Sequence, residues 1–219
     1  TSYGNTIWYV VVGTAVNIIL TTITAYPLSR RNFRARDKIM MFIAFTMFFS
    51  GGMIPTYLLI KELGLINSRW ALVIPAGIST WNLIIMRTFF EGIPDSLYEA
   101  ATIDGASELQ ILTRIFLPLS LPIMAVMVLF YAVGHWNSYF PALMYLNDEE
   151  KYPLQMILRK ILIQYDQNKI VEEMTQGREV VGQAVRYATI IVSTVPILLI
   201  YPFLQKYFVK GVMIGAIKG

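Results

Sequence analysis

The 219-residue sequence contains no cysteine and only one histidine, His135. Disulfides and cysteine-ligated metals are therefore excluded, and a single histidine is too few for a histidine-rich metal site. Charge is also scarce, because Asp, Glu, Lys and Arg make up 15% of the chain while 56% of it is hydrophobic. A water-exposed domain needs more polar surface than this, so the composition excludes an ordinary soluble protein and indicates the membrane class.

Several catalytic motifs are absent as well. No Gly-x-x-x-x-Gly-Lys-Ser/Thr segment occurs, so we expect no ATPase activity and no bound cofactor in this chain. Neither a Gly-x-Ser-x-Gly segment nor a His-Glu-x-x-His segment is present, which removes the commonest hydrolase signatures. The net charge of +4 comes from basic residues near the ends of apolar runs, a distribution that favours membrane orientation and not nucleic-acid binding.

The hydrophobic residues are concentrated in five runs that contain no charged residue, namely 7–28, 39–60, 70–86, 115–134 and 187–204. A helix needs roughly 20 apolar residues to cross the bilayer core, so each run is long enough or nearly so. The runs do not alternate with period two, and lipid requires every backbone group to be paired, so they predict helices. The fold class is therefore all-α: a polytopic membrane protein with five transmembrane helices in this chain.

Basic residues predict the orientation. The short loop 30–38 holds Arg30, Arg31, Arg34, Arg36 and Lys38 against one acid, which places it in the cytoplasm. Alternation then puts 61–69 and 135–186 outside, and 87–118 and the tail 205–219 inside. We refer to these sides as outer and inner. Residue 1 falls outside, so we expect a further span before it and six helices in the full protein.

Glycine and proline interrupt most of the runs, at residues 50–55, at Pro75, at Pro118 and Pro122, and at Pro196 and Pro202. Broken helices at membrane depth are tolerated where protein or a water-filled cavity covers the free backbone groups. Tight helix packing and a transport pathway both explain such residues, and the sequence leaves the two open.

The inner segment 87–118 is too polar to span and predicts an elbow of two short helices. Ser96 with Glu99, and Ser107 with Gln110, have capping-box spacing, and Gly105 suits the left-handed residue that ends a helix. A face built on Leu97, Ala100, Ala101 and Asp104 would allow a partner to approach closely. Five acids, which a basic partner surface would complement, lie in this segment: Glu91, Asp95, Glu99, Asp104 and Glu108.

The same segment carries a motif: Glu99-Ala100-Ala101, three residues, Gly105, nine residues, Ile115, one residue, Leu117-Pro118. It resembles the EAA loop of binding-protein-dependent ABC importer permeases. Residues 26–30, 84–87 and 207–219 are similar to the carbohydrate branch, the MalG-like permeases and their LplC-type group. The resemblance implies one importer transmembrane domain over 1–219, in a bacterial cell membrane.

The resemblance also implies partners and roles. The partners are a second homologous permease, two ATPase subunits that bind ATP and magnesium, an external solute-binding protein, a carbohydrate and the lipid bilayer. The docking turn would comprise Glu99, Ala100, Ala101, Asp104, Gly105 and Ala106, and the exit into the next span would comprise Ile115, Leu117 and Pro118. The tail from 210 to 219 would reach between the ATPase subunits.

The outer loop 135–186 contains an amphipathic helix, because Leu154, Ile157, Leu158 and Ile161 recur at helical spacing opposite Arg159. Such a helix fits the bilayer surface as well as it fits contact with a binding protein. In relatives that transport maltose the corresponding loop reaches into the binding protein, and the resemblance extends this loosely to residues 146–182.

Aromatic rings and amides are the groups that usually hold sugars. The candidate substrate-pathway residues are Trp81, Asn82, Tyr131, His135, Trp136, Asn137 and Tyr139, although for any single one of them an interfacial aromatic belt is the favoured explanation. The alternatives are an ABC permease for a non-sugar solute, a secondary transporter, which would need acids for ion coupling within its spans, and a membrane scaffold or enzyme.

Overall fold

The computed structural model describes residues 1–172, 184, 187–199 and 202. Among these residues every regular element is a helix, in agreement with the predicted all-α class. In chain order the helices are α1 (Ser2–Ser29), α2 (Arg36–Phe48), α3 (Met53–Glu62), α4 (Trp70–Val73), α5 (Thr80–Glu91), α6 (Asp95–Ile103), α7 (Glu108–Ile111), a π-helix (Leu112–Phe116), α8 (Leu117–Leu119), α9 (Leu121–Trp136), α10 (Phe140–Tyr145), a 3-10 turn (Glu149–Lys151), α11 (Leu154–Glu172) and α12 (Tyr187–Leu199).

Of the described helices, α1 alone is long and apolar enough to cross a membrane by itself. Two bent pairs also qualify if each pair is counted as one span. These are α2 with α3, which meet at 114°, and Glu108–Leu119 with α9, which meet at 85°. Helix α12 is apolar but shorter. The described part of the chain therefore contains between one and three spans by length and composition.

The run 70–86 does not form the single helix that the sequence predicted. Helix α4 ends at Val73 and α5 begins at Thr80, with an irregular segment between them. Pro75 causes the break, because proline has no backbone N–H and disfavours helical geometry in the residue before it. The run 39–60 is likewise divided, at Gly52, whose φ of +85° only glycine adopts readily.

Helix α1 is the centre of the fold and packs chiefly against α9 and α5. Polar side chains form a buried stripe along it: Asn5, Thr6, Thr14, Asn17, Thr21, Thr22 and Ser29. Thr14, Asn17 and Thr21 follow one another three or four residues apart, which is the spacing of one helix face. The opposite face exposes apolar side chains such as Ile7, Val11 and Ile23. Helix α1 therefore presents polar groups to its own chain and apolar groups outward, as membrane helices commonly do.

Two hydrophobic clusters hold the two ends of the bundle together. The inner cluster contains Met86, Phe90 and Phe116, and it fixes the segment 87–118 against the inner end of α1. The outer cluster contains Tyr9 and Val73, and it joins the outer half of α1 to α4 and α10. Helix α2, in contrast, buries none of its side chains.

The predicted amphipathic helix is present as α11. Leu154 and Leu158 on its apolar face pack with Trp136 at the end of α9, so this turn of the helix lies on the protein itself. Residues 173–183 of the outer loop and the tail 205–219 lie outside the described residues, as does the segment 210–219 expected between two ATPase subunits.

Candidate functional site

The inner segment forms the predicted elbow. Helix α6 ends at Ile103, and Gly105 follows with a φ of +77°, the left-handed geometry expected from the sequence. The backbone N–H of Gly105 donates to the carbonyl of Thr102, and the N–H of Ala106 donates to the carbonyl of Ala101. These two bonds close the turn, because they satisfy carbonyls that the end of a helix leaves free.

One of the two predicted capping boxes is present. The Ser107 hydroxyl accepts from the N–H of Gln110, and the Gln110 side chain accepts from the N–H of Ser107. The box predicted for Ser96 and Glu99 is wrong. Helix α6 begins at Asp95, directly after Pro94, so Ser96 already lies inside the helix and cannot cap it.

The nine residues assigned to the elbow by resemblance differ in exposure. Exposed are Glu99, Ala100, Asp104, Gly105 and Pro118, while Ala106, Ile115 and Leu117 are half-buried. Ala101 packs in the inner cluster, whereas the sequence placed it on a face open to a partner. The most exposed apolar side chain of the elbow is Ile103, at 85%, which is not among the residues predicted from the sequence.

The acidic residues of the elbow divide into paired and unpaired groups. Glu91 lies 2.6 Å from Arg87 and 3.7 Å from Arg36, and Asp95 lies 3.8 Å from Arg31. Glu108 accepts hydrogen bonds from two tyrosines, Tyr26 and Tyr98, at 2.6 Å each. Its carboxylate raises the pKa of Tyr98, because the hydrogen bond stabilises the protonated phenol.

Within the described residues, Glu99 and Asp104 have no ion pair. Both are exposed and lie on either side of Ile103. The elbow therefore presents two unpaired carboxylates around one exposed apolar side chain, a combination suited to a surface with basic groups and an apolar pocket.

The link from the elbow to the next span is irregular. Residues Leu112–Phe116 form a π-helix, and the chain bends at Ser120 before α9 begins. The Ser120 hydroxyl is buried and has no hydrogen-bond partner among the described residues. Isolated π-turns of this kind often occur at functional positions.

Two of the candidate pathway residues belong to a buried polar network around α1. The Asn17 side-chain amide donates to the carbonyls of Ala76 and Gly77 in the break between α4 and α5. Its Oδ1 lies 2.6 Å from His135 Nε2. Because the amide N–H₂ is committed to two carbonyls, Oδ1 is the acceptor and His135 Nε2 carries the proton. Tyr131 is the second candidate residue in the network.

Tyr131 connects the same three elements one turn further inward. Its hydroxyl lies 2.7 Å from Thr21 Oγ1 and accepts from the backbone N–H of Ser79 at 3.2 Å. The break after α4 is therefore held by polar side chains of both α1 and α9. These bonds satisfy backbone groups that the interruption between the two helices leaves free.

The other candidate pathway residues do not join this network. Trp81 is 60% exposed, whereas its neighbour Asn82 is buried. Trp136 donates to the carbonyl of Ser193 at 3.0 Å, and the exposed Asn137 donates to a carbonyl of its own helix. Tyr139 lies under the guanidinium of Arg159. The seven residues therefore do not form one site in this structure.

Comparison with known proteins identifies the family. Residues 17–214 match the family described as binding-protein-dependent transport system inner membrane component. The chain belongs to this family. The permease is 48% identical, over 214 residues, to the polygalacturonan/rhamnogalacturonan transport system permease protein YtcP of Bacillus subtilis, covering 97% of this chain and 75% of that protein.

Two further comparisons agree. The permease is 48% identical over 218 residues to protein LplC of Bacillus subtilis, covering 100% of this chain and 74% of that protein. It also resembles a solved structure of a bacterial ABC transporter involved in the import of the acidic polysaccharide alginate. That chain is 37% identical, with a TM-score of 0.81, over 94% of the permease and 74% of the solved chain. The permease is thus a membrane transport component.

Asn17 and Thr21, which organise the buried network of the permease, were not predicted from the sequence. A signal was present, because an amide in the middle of an uncharged run, with Thr14 three residues before it and Thr21 four residues after it, marks one polar helix face. Polar groups within a span usually face the protein interior. Arg30 and Glu108 were noted only as parts of a basic loop and an acidic segment.

Proposed function

We propose that the chain is the transmembrane permease subunit of an ABC importer that moves an oligosaccharide across the bacterial plasma membrane. The observation that carries this proposal is the 48% identity with YtcP over nearly the whole chain, joined to the fold shared with the alginate importer. ATP and magnesium belong to a separate ATPase, and the chain itself carries out no chemistry. A second permease, two ATPase subunits and an external binding protein complete the importer.

The favoured cargo is an oligosaccharide that contains uronic acids. YtcP and the alginate importer are both named for acidic polysaccharides, polygalacturonan and alginate respectively. A relative at 28% identity is named for maltodextrin, which is neutral. Reconstituted importer with its binding protein should therefore show ATP hydrolysis stimulated by oligogalacturonate or oligoalginate. Stimulation by maltodextrin alone would contradict the acidic cargo, and no stimulation by any oligosaccharide would contradict the function.

The exposed surface of the elbow is the proposed ATPase-docking face. It consists of Glu99, Ala100, Ile103 and Asp104, with Gly105 shaping the turn. Ile103 is 85% exposed beside the unpaired carboxylates of Glu99 and Asp104, and this mixed apolar and acidic surface would complement a partner with basic groups, which supports docking. Ile103→Glu should sharply lower the amount of ATPase that co-purifies.

A matched control exists on the other side of the membrane. Leu63, in the outer loop, is 60% exposed, so Leu63→Glu makes the same kind of change away from the elbow. It should leave ATPase recovery unchanged. Equal recovery of the ATPase with both variants would argue against docking at the elbow.

The proposed topology has five spans in this chain, with α4 and α5 forming one interrupted span. The lack of cysteine in these 219 residues favours single-cysteine accessibility tests. A membrane-impermeant thiol reagent should label Glu149→Cys in intact cells, and it should label Thr102→Cys only after permeabilisation. The reverse pattern would invert the orientation.

Among the candidate pathway residues, Trp81 is the best placed to contact a sugar, because its ring is exposed while its neighbours on α5 pack inward. Trp81→Ala should lower transport of the oligosaccharide without reducing basal ATP hydrolysis. Transport at the wild-type rate would assign Trp81 to lipid contact instead.

A further inference from the structure

The inner ends of α1 and α5 are joined by two reciprocal arginine contacts. Arg87 Nε, on α5, donates to the carbonyl of Leu28 at 2.8 Å, near the end of α1. Arg30, just after α1, donates to the carbonyl of Phe90 at 3.2 Å, near the end of α5. Each cation thus reaches a carbonyl at the end of the other helix, where the helix dipole favours positive charge. The two helix ends are held as a pair.

A second contact joins the elbow to α1. Both oxygens of the Glu108 carboxylate, at the start of α7, accept from tyrosine hydroxyls: one from Tyr26 on α1 and one from Tyr98 on α6, each at 2.6 Å. Hydrogen bonds to an ionised group are roughly twice as strong as neutral ones. One carboxylate therefore holds three helices at a fixed spacing.

Arg30 lies within the same group of residues and is only 8% exposed. Its guanidinium lies 4.3 Å from the ring centroid of Phe116 in the π-helix, 5.5 Å from that of Tyr98 and 5.7 Å from that of Tyr26. Arginine suits this position because its planar cation stacks on aromatic rings and is weakly hydrated. The stack connects the elbow, the π-helix and α1.

We propose that Tyr26, Arg30, Tyr98 and Glu108, which we name the elbow clamp, make the elbow and the inner end of α1 move as one rigid unit. This inference rests on the proposed function. A displacement of the elbow then reaches two spans, α9 along the chain and α1 through the clamp. These four are positioning residues, since they contact neither nucleotide nor cargo. Helix α1 in turn carries the displacement to the break at 74–79 through Asn17.

The first test measures rigidity. Spin labels are attached to Ile23→Cys on α1 and Thr102→Cys on α6, both exposed positions outside the clamp, in the reconstituted importer. The distance between them should be the same in the nucleotide-free and ATP-trapped states. A distance that changes between those states in the otherwise wild-type permease would overturn the proposal. This measurement needs the ATPase and nucleotide but no oligosaccharide, so it can succeed even if the proposed cargo is wrong.

The second test measures coupling. The double variant Tyr26→Phe, Tyr98→Phe keeps both rings beneath Arg30 but removes both hydrogen bonds to Glu108. Transport per ATP hydrolysed should fall by about fivefold or more, because two bonds to an ionised group are lost. The label distance should also become state-dependent. Wild-type coupling together with an unchanged label distance in this variant would overturn the proposal.

The matched control is Tyr3→Phe, which removes a tyrosine hydroxyl from the outer end of the same helix, where it donates to the carbonyl of Val192. Coupling in this variant should equal that of wild type. If the double variant does not assemble with the ATPase, the label measurement on the otherwise wild-type permease decides alone.

Discussion

Gly105 offers the sharpest test of the elbow. Its φ of +77° is left-handed, and a Cβ added to its backbone would have no neighbour within 4 Å. A substitution there therefore causes backbone strain without a collision. The left-handed conformation costs an ordinary L-residue roughly 1–2 kcal/mol, and asparagine less, since its side chain bonds locally. A β-branched residue is strained further.

A cost of about 1–2 kcal/mol reduces the population of the correct turn by a factor of roughly 5–30. Affinity for the ATPase should fall in the order wild type, Gly105→Asn, Gly105→Ala, Gly105→Val. The assay is titration of the detergent-purified importer membrane subunits with ATPase, accompanied by transport in proteoliposomes. Membrane insertion should be unaffected, because the turn lies outside the spans.

Gly64 supplies the matched control. It has a φ of +68° and equally open space around an added Cβ, but it lies in the outer loop. Gly64→Val should therefore lose a similar amount of stability while ATPase affinity stays at the wild-type value. If Gly105→Val binds ATPase like wild type, or if Gly64→Val weakens binding equally, the turn is not what positions the docking face.

Three further predictions concern other groups. Because Glu99 makes no capping bond, Glu99→Gln and Glu99→Ala should impair oligosaccharide-stimulated ATP hydrolysis equally, by the charge alone. Gly13→Ala places a Cβ among the ring atoms of His135 and should destabilise the purified permease by about 1–3 kcal/mol in thermal unfolding. The backbone N–H of Glu150 donates to the Asp148 carboxylate and holds its pKa below the usual 3.8. The protection of that amide against hydrogen exchange, relative to the unfolded chain at the same pH, should therefore decrease as pH falls below 3.8.

Each of these has its own contrary outcome. If Glu99→Gln hydrolyses ATP like wild type while Glu99→Ala is impaired, the charge of Glu99 does not explain its effect. Gly134→Ala, on α9 with open space around the added carbon, is the control for Gly13 and should be neutral. Because the pKa of Asp148 is depressed in the folded protein, its carboxylate stabilises the turn above pH 3.8 and loses this effect as pH falls below that value. Asp148→Asn should therefore abolish the pH dependence of protection at the Glu150 amide.

The elbow was largely predictable, because its determinants are local. Proline, glycine and the Ser107 capping box act within four residues of themselves, and those are the signals that a sequence displays. The error at Ser96 arose from the same rules, since Pro94 takes the N-cap position and the helix begins two residues earlier than a Ser96 cap would place it. The exposure of Ile103 could not be predicted from the sequence, because it depends on which face of α6 packs against the inner cluster.

Contacts between distant segments could not be predicted in this way. The clamp pairs Tyr26 with Glu108, 82 positions away, and its Arg30 also donates to the carbonyl of Phe90, 60 positions away. Hydropathy also predicted that the run 70–86 forms one span, because many membrane helices contain proline. Pro75 breaks the run, and Asn17 of α1 supplies donors to the carbonyls of Ala76 and Gly77 within the break.

The polar stripe of α1 explains how the break between α4 and α5 is stable. In lipid a free backbone carbonyl has no water to bond, so an interruption at membrane depth requires donors from the protein. Asn17 provides both of its amide hydrogens to Ala76 and Gly77, and its oxygen accepts from His135. One side chain therefore links α1, the break and α9. Helix α1 also bonds Glu108 at its inner end, through the hydroxyl of Tyr26. The elbow and the break between α4 and α5 therefore contact the same helix at different points along its length.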